Sequence, residues 1–82
     1  MKLVNIGFGN MVNASRVITV ISPDSNPVKR MVGISKQKNM LIDATQGRKT
    51  KSVIVMDSDH IILSYLSVET VMDKFNGKSE EL

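Results

Sequence analysis

Apolar residues recur along this chain in short runs separated by polar breaks, and the spacing within each run predicts an element. Residues 3–8 (Leu-Val-Asn-Ile-Gly-Phe) read as a strand closed by Gly7-Phe8-Gly9-Asn10, where glycine and asparagine tolerate positive φ. Residues 14–21 read as a second strand, with Arg16, Ile18 and Val20 on one face and Val17, Thr19 and Ile21 on the other. The stretch Ser22-Pro23-Asp24-Ser25-Asn26-Pro27 breaks that alternation. Asn26 is expected to cap a helix over residues 27–38, with Pro27 at its first position. Helical spacing turns Val28, Met31, Val32 and Ser35 inward and Lys29, Arg30, Lys36 and Lys38 outward. Gly33, which costs about 1 kcal/mol relative to alanine in a helix, marks an expected close packing contact, and Asn39 an expected C-cap.

Three more strands are expected at 40–45, 50–56 and 60–66, joined by the Gly47–Lys51 turn and by Asp57-Ser58-Asp59. Two hairpins in succession make an antiparallel meander. Ser67 then caps a helix near 68–75, with Glu69 in its first turn and Gly77 just past its end. The pattern as a whole predicts one α+β domain over residues 1–77. It would hold one antiparallel sheet of about five strands, a central helix and a short C-terminal helix. A polar tail at 78–82 is expected to fray.

Composition narrows the chemistry. With 82 residues, 41% of them hydrophobic, no Trp, and Phe8, Tyr65 and Phe75 as the aromatics, the core must be built from Val, Ile, Leu and Met. Chains of this size bury only about 60–65% of the surface exposed when unfolded, so self-association is an expected source of stability. The absence of cysteine excludes disulfides and thiolate metal sites, and the lone His60 excludes a multi-histidine site, so no cofactor or metal is expected. No apolar stretch approaches the roughly 20 residues that span a bilayer, and no signal-peptide core opens the chain. A soluble cytoplasmic domain without a membrane partner is the resulting expectation.

Charge is modest in total and uneven in placement. The formal net charge is +3, yet Arg16, Lys29, Arg30, Lys36, Lys38, Arg48, Lys49 and Lys51 face only Asp24 and Asp43, making residues 16–51 net +6. Residues 52–82 are net −4. The segment Gly47-Arg48-Lys49-Thr50-Lys51 places three cations on a turn between two apolar strands, a display suited to phosphate. Arg16 lies within an apolar run, where burying an unpaired cation is costly, so it is exposed, paired with an acid such as Asp24 or Asp43, or set at a subunit edge.

Catalytic patterns are thin. Asp57, Asp59 and His60 form the one titratable cluster, and they sit in a tight turn where Asp and Ser serve the backbone; His60 could bond to one of the aspartates. Gly7-x-Gly9 lacks the third glycine and the following helix of a dinucleotide site. Neither an enzyme nor a small-molecule substrate is expected. Arginine suits bidentate contact to phosphate or a guanine edge, and the scarcity of aromatics favours duplex DNA over stacking on single strands.

Four separated blocks carry a resemblance to a known family. Asn5-Ile6-Gly7-Phe8-Gly9-Asn10, Ser22-Pro23-Asp24-Ser25 with Pro27-Val28-Lys29-Arg30, Met40-Leu41-Ile42-Asp43-Ala44-Thr45 with Gly47-Arg48, and Met56-Asp57-Ser58-Asp59-His60-Ile61-Ile62-Leu63-Ser64 together resemble the RemA family, in one register over about residues 3–72. These are small bacterial regulators of extracellular-matrix (biofilm) genes. The resemblance implies a nucleoid-associated, DNA-binding transcriptional activator that assembles into a ring of identical subunits, with a LytTR-like sheet fold. It also implies functional arginines at Arg16 and at the Arg48-Lys49 pair. The second member of that pair, often arginine in the family, is lysine here, and Lys51 stands where arginine is expected.

The expected DNA-contacting set is therefore Arg16, Arg48, Lys49, Lys51, Arg30 and Lys29, with Arg48, Lys49 and Lys51 on hairpin tips repeated around a ring-shaped homo-oligomer. Two other readings fit the residues: an RNA-binding module, and an oligomeric scaffold whose basic patch meets an acidic protein.

Overall fold

The structure, a computed structural model, describes residues 1–77. The expected frayed tail at 78–82 lies outside the described residues. In chain order the elements are β1 (Leu3–Asn5), β2 (Met11–Asn13), a 3₁₀ turn (Ala14–Arg16), β3 (Val17–Ile21), α1 (Asn26–Gln37), β4 (Leu41–Asp43), β5 (Ser52–Met56), β6 (Ile61–Ser64) and α2 (Val68–Phe75). An α+β architecture is as expected, but the strands divide into a two-stranded sheet, β1-β2, and a four-stranded sheet ordered β3-β5-β6-β4.

The four-stranded sheet is mixed. β5 pairs antiparallel with β3 and with β6, whereas β4 pairs parallel with β6, Leu41 opposite Ile61 and Asp43 opposite Leu63. The expected 40–45/50–56 hairpin is thus replaced by a crossing loop that leaves the edge strand β4, passes the end of β6 and enters β5. Two apolar runs flanking a turn look the same whether their strands are neighbours or separated by a third. Here β6 takes the place between them.

Both faces of this sheet are covered, which is why β5 and β6 read as nearly continuous apolar runs. Val53, Ile61 and Leu63 pack under α1 with Val28, Met31 and Val32. Ile54 and Ile62 point the other way, into a core with Val4, Ile6 and Val12 of the β1-β2 hairpin and Val71 of α2. Val17 and Val20 both reach this second core despite their odd spacing, because the β3-β5 register shifts between Val17 and Thr19. One extra residue in a strand inverts the face of everything beyond it. The expected Arg16/Ile18/Val20 face is therefore broken, and Arg16 sits in the 3₁₀ turn instead of the strand.

The helix ends follow their capping chemistry. Ser25, not Asn26, caps α1 by accepting from the Val28 N–H, and Pro27 occupies the first turn. Lys38 is the C-cap, with Asn39 beyond it at φ 59°. The space beside Gly33 is open to 4 Å, so the expected packing contact is absent. Ser67 caps α2 as expected, accepting from Thr70 N–H at 3.1 Å.

Candidate functional site

The crossing loop begins with a carboxylate that organises it. Asp43 Oδ1 accepts from the Thr45 hydroxyl at 2.6 Å and from the Thr45 backbone N–H at 2.9 Å. These bonds, the hydroxyl's foremost, hold the Asp43 carboxyl below its ordinary range against a smaller opposing effect of burial. Gln46 and Gly47 then take left-handed backbone (φ 51° and 84°), and Arg48 N–H closes the turn on the Thr45 carbonyl at 3.1 Å. Ala44 N–H donates to Leu63 O at 3.0 Å and Lys51 N–H to Ser64 O at 2.9 Å, so both ends of the loop are fastened to β6.

Arg48, Lys49 and Lys51 emerge exposed from this loop and line one cleft with Tyr65. Lys29 of α1 lines a groove with Thr50 of the same loop, which brings a fourth cation to this end of the sheet. Arg30 is exposed on α1 and lines neither of these clefts. Among the described residues none of these five cations has a carboxylate partner.

Arg48 has a different kind of partner. Its guanidinium carbon lies 5.9 Å from the Phe8 ring centroid and 5.8 Å from that of Tyr65. The two rings contact each other with centroids 4.7 Å apart and planes inclined by 36°. Phe8 is carried by the turn between β1 and β2, and Tyr65 follows β6, so the rings converge from separate parts of the chain. The approach requires glycine at position 7, where a Cβ would stand 2.4 Å from Tyr65 Cε1 and φ is +114°.

Arg16 lies elsewhere. Its Nε is 2.9 Å from Asp57 Oδ2, and its carbonyl accepts from Asp57 N–H at 2.8 Å. The partner is Asp57, not the expected Asp24 or Asp43. Val17 opposes Met56 and Ile21 opposes Val53, so this pair sits at the end of β5 opposite the basic loop. At about 3.3 Å per residue, the five-residue strand separates the two groups by roughly 17 Å. The expected basic set is thus two groups, not one. In the adjoining turn His60 Nδ1 meets Ser58 Oγ at 2.8 Å, not an aspartate. Among the described residues there is no cluster of His, Asp or Glu able to hold a metal ion, and no helix long and apolar enough to cross a membrane.

The sequence is similar to those of known proteins. The family described as RemA-like, extracellular matrix regulatory protein A-like, matches residues 3–75. The chain belongs to the RemA-like family. Extracellular matrix regulatory protein A of Bacillus subtilis is 54% identical over 80 residues, covering 98% of this chain and 90% of that protein. A protein of Dictyoglomus thermophilum named as regulatory is 57% identical over 81 residues, covering 99% and 95% of the two chains. Another so named, from Brevibacillus brevis, is 52% identical over 81 residues, covering 99% and 94%. These names describe RemA-like proteins as regulators, none as an enzyme.

Phe8 and Tyr65 of this RemA-like chain carry no periodic signal that marks them as neighbours of Arg48. Phe8, between Gly7 and Gly9, adopts φ 56°, a left-handed backbone that is uncommon for a bulky residue. Such strain in a residue other than glycine concentrates at functional positions.

Proposed function

We propose that this protein is a DNA-binding regulator of extracellular-matrix (biofilm) genes, a nucleoid-associated activator that works as a ring of identical subunits with a LytTR-like fold. The observation that carries the reading is the basic loop: Arg48, Lys49 and Lys51 share one cleft, have no acidic partner among the described residues, and stand on a loop fastened at both ends. Unpaired cations held close together lower their repulsion by meeting phosphates and releasing counterions. The crossing loop, not a hairpin tip, is the contacting element, with Lys29 flanking it.

Self-association has support of its own. Among the described residues no strand pairs with the outer edges of β3 and β4, and Ile18, Ile34 and Ile42 are 64%, 46% and 48% exposed. Unpaired strand edges together with exposed isoleucines on so small a domain favour contact with other chains. A ring also multiplies a weak contact, because several loops then engage one duplex at high effective concentration. Arg16, paired with Asp57 away from the loop, is assigned to a second contact, with a neighbouring subunit or with DNA bent around the rim.

The Phe8–Tyr65 pair beside the cleft raises the RNA reading, since partly exposed rings can stack bases. Arg48 already lies over both rings, which favours phosphate contact over base stacking. Gel-shift titration of duplex DNA across a salt series tests the proposal, with structured RNA as competitor and light scattering for mass. Arg48→Ala should weaken duplex binding and flatten the salt slope; an unchanged slope, or preference for RNA, overturns it.

A further inference from the structure

We infer that Phe8 and Tyr65 form an aromatic seat that positions the Arg48 guanidinium edge-outward for a phosphate, so that the β1-β2 hairpin is part of the anion-binding site. The inference rests on the reading of Arg48 as a phosphate contact and deepens it.

Three observations converge on it. The guanidinium carbon is within 6 Å of both ring centroids, the range in which the quadrupole of a ring attracts a cation. The seat is built at a conformational expense: Gly7, Phe8 and Gly9 take φ +114°, +56° and +77° in succession, and only glycine at position 7 lets Tyr65 lie where it does. Phe8 remains 43% exposed, so its strained placement is not explained by filling the core. Finally, Arg48 has no carboxylate among the described residues to hold its charge, and the rings supply attraction without neutralising it. A guanidinium carries its five N–H donors in its own plane, so rings meeting its face, the orientation inferred here, leave the edge available for two oxygens of one phosphate. A salt bridge would instead consume that edge. Lys49 and Lys51, on the same loop, act as point charges around it.

The seat predicts behaviour that a merely structural aromatic pair would not show. In the free protein the Arg48 side-chain methylene protons should be shifted upfield by the ring currents in NMR spectra. Tyr65→Leu should return them to ordinary positions, and Tyr65→Phe should keep the shift. For duplex DNA in gel shifts at fixed salt, Tyr65→Leu and Phe8→Leu should each weaken binding by about 3- to 5-fold per seat engaged, with Tyr65→Phe near wild type. Arg48→Lys should fail to restore binding although it keeps the charge. In the Arg48→Ala background, Tyr65→Leu should cost nothing further, since the seat acts only through Arg48. Ordinary Arg48 shifts in the folded wild type, or full additivity of Tyr65→Leu with Arg48→Ala, would overturn the seat. If Arg48→Ala itself leaves DNA binding unchanged while the shifts are present, the DNA reading fails and the seat stands as a geometry without that partner.

Discussion

Thr45 donates its hydroxyl and its backbone N–H to a single oxygen of Asp43, at 2.6 and 2.9 Å, and thereby sets the direction in which the basic loop leaves the sheet. Thr45 is 3% exposed while Asp43 faces solvent, so the bonds join a fixed donor to a hydrated acceptor. Because the folded carboxyl is held below its ordinary range, its stabilising contribution is complete above the ordinary aspartate value near ~4. The contribution disappears as pH falls through the lower folded value. The stability gap between wild type and Asp43→Asn should therefore be constant from pH 5 to 8 and close on acidification below about pH 4. Thr45→Val, which keeps the backbone bond and the shape, should cost about 1 kcal/mol at neutral pH. Urea unfolding at a series of pH values checks both.

Two glycines should respond to alanine with opposite signs. At Gly7 the new methyl meets Tyr65 at 2.4 Å and φ is +114°, so Gly7→Ala should destabilise by about 1–3 kcal/mol. At Gly33 the added carbon meets nothing within 4 Å inside α1, and Gly33→Ala should stabilise by about 0.5–1 kcal/mol. For a domain of this size each kcal/mol moves the melting midpoint by about 4–8 °C, which calorimetry resolves.

The Arg16–Asp57 pair should contribute little to folding. Its side chains are 61% and 43% exposed, and pairs this wet are typically worth about 0–1 kcal/mol. Arg16→Ala should leave the melting midpoint nearly unchanged. A change in assembled mass or in DNA affinity would then report the residue's intermolecular role, and its effect should add to that of Arg48→Ala because the two sites sit at opposite ends of β5.

Ser64→Ala tests the tie between the hairpin and the sheet. The buried Ser64 hydroxyl donates to Ile6 O at 2.8 Å and accepts from Leu66 N–H at 3.1 Å. Its loss strands a carbonyl at a residue 1% exposed, with an expected cost of about 1–3 kcal/mol. Hydrogen exchange in β1 and β2 should accelerate more than in β5 if the tie is local.

The elements with strong periodicity were legible in the chain alone: α1, the apolar β5 and β6, α2 with its Ser67 cap, and the basic loop as the place of exposed charge. Pairing was not. A three-residue β2 holds together through Val12 packing on Val4 and Ile6, a tertiary contact that leaves no local pattern. The parallel register of β4 depends on β6, twenty residues later in the chain, and the shift between Val17 and Thr19 is invisible to a rule of alternation. For the site, the run of cations at 48–51 is visible in the sequence and the fold gathers it into one cleft, whereas the distance of Arg16 from it depends on strand direction, which no local pattern gives. The Phe8–Tyr65 contact joins residues far apart in the chain and leaves no local pattern.

Fastening the basic loop to consecutive residues of β6, Leu63 and Ser64, has a kinetic corollary. The backbone carrying Arg48, Lys49 and Lys51 has already given up its freedom in the folded chain, so docking need not order it again. A clustered, repulsive triad of charges is also a source of field that reaches beyond contact and is dimmed by salt. On the proposed function, the encounter with a polyanion should therefore be quick and forgiving of orientation, while the lifetime of the complex would be set by how many such loops land together.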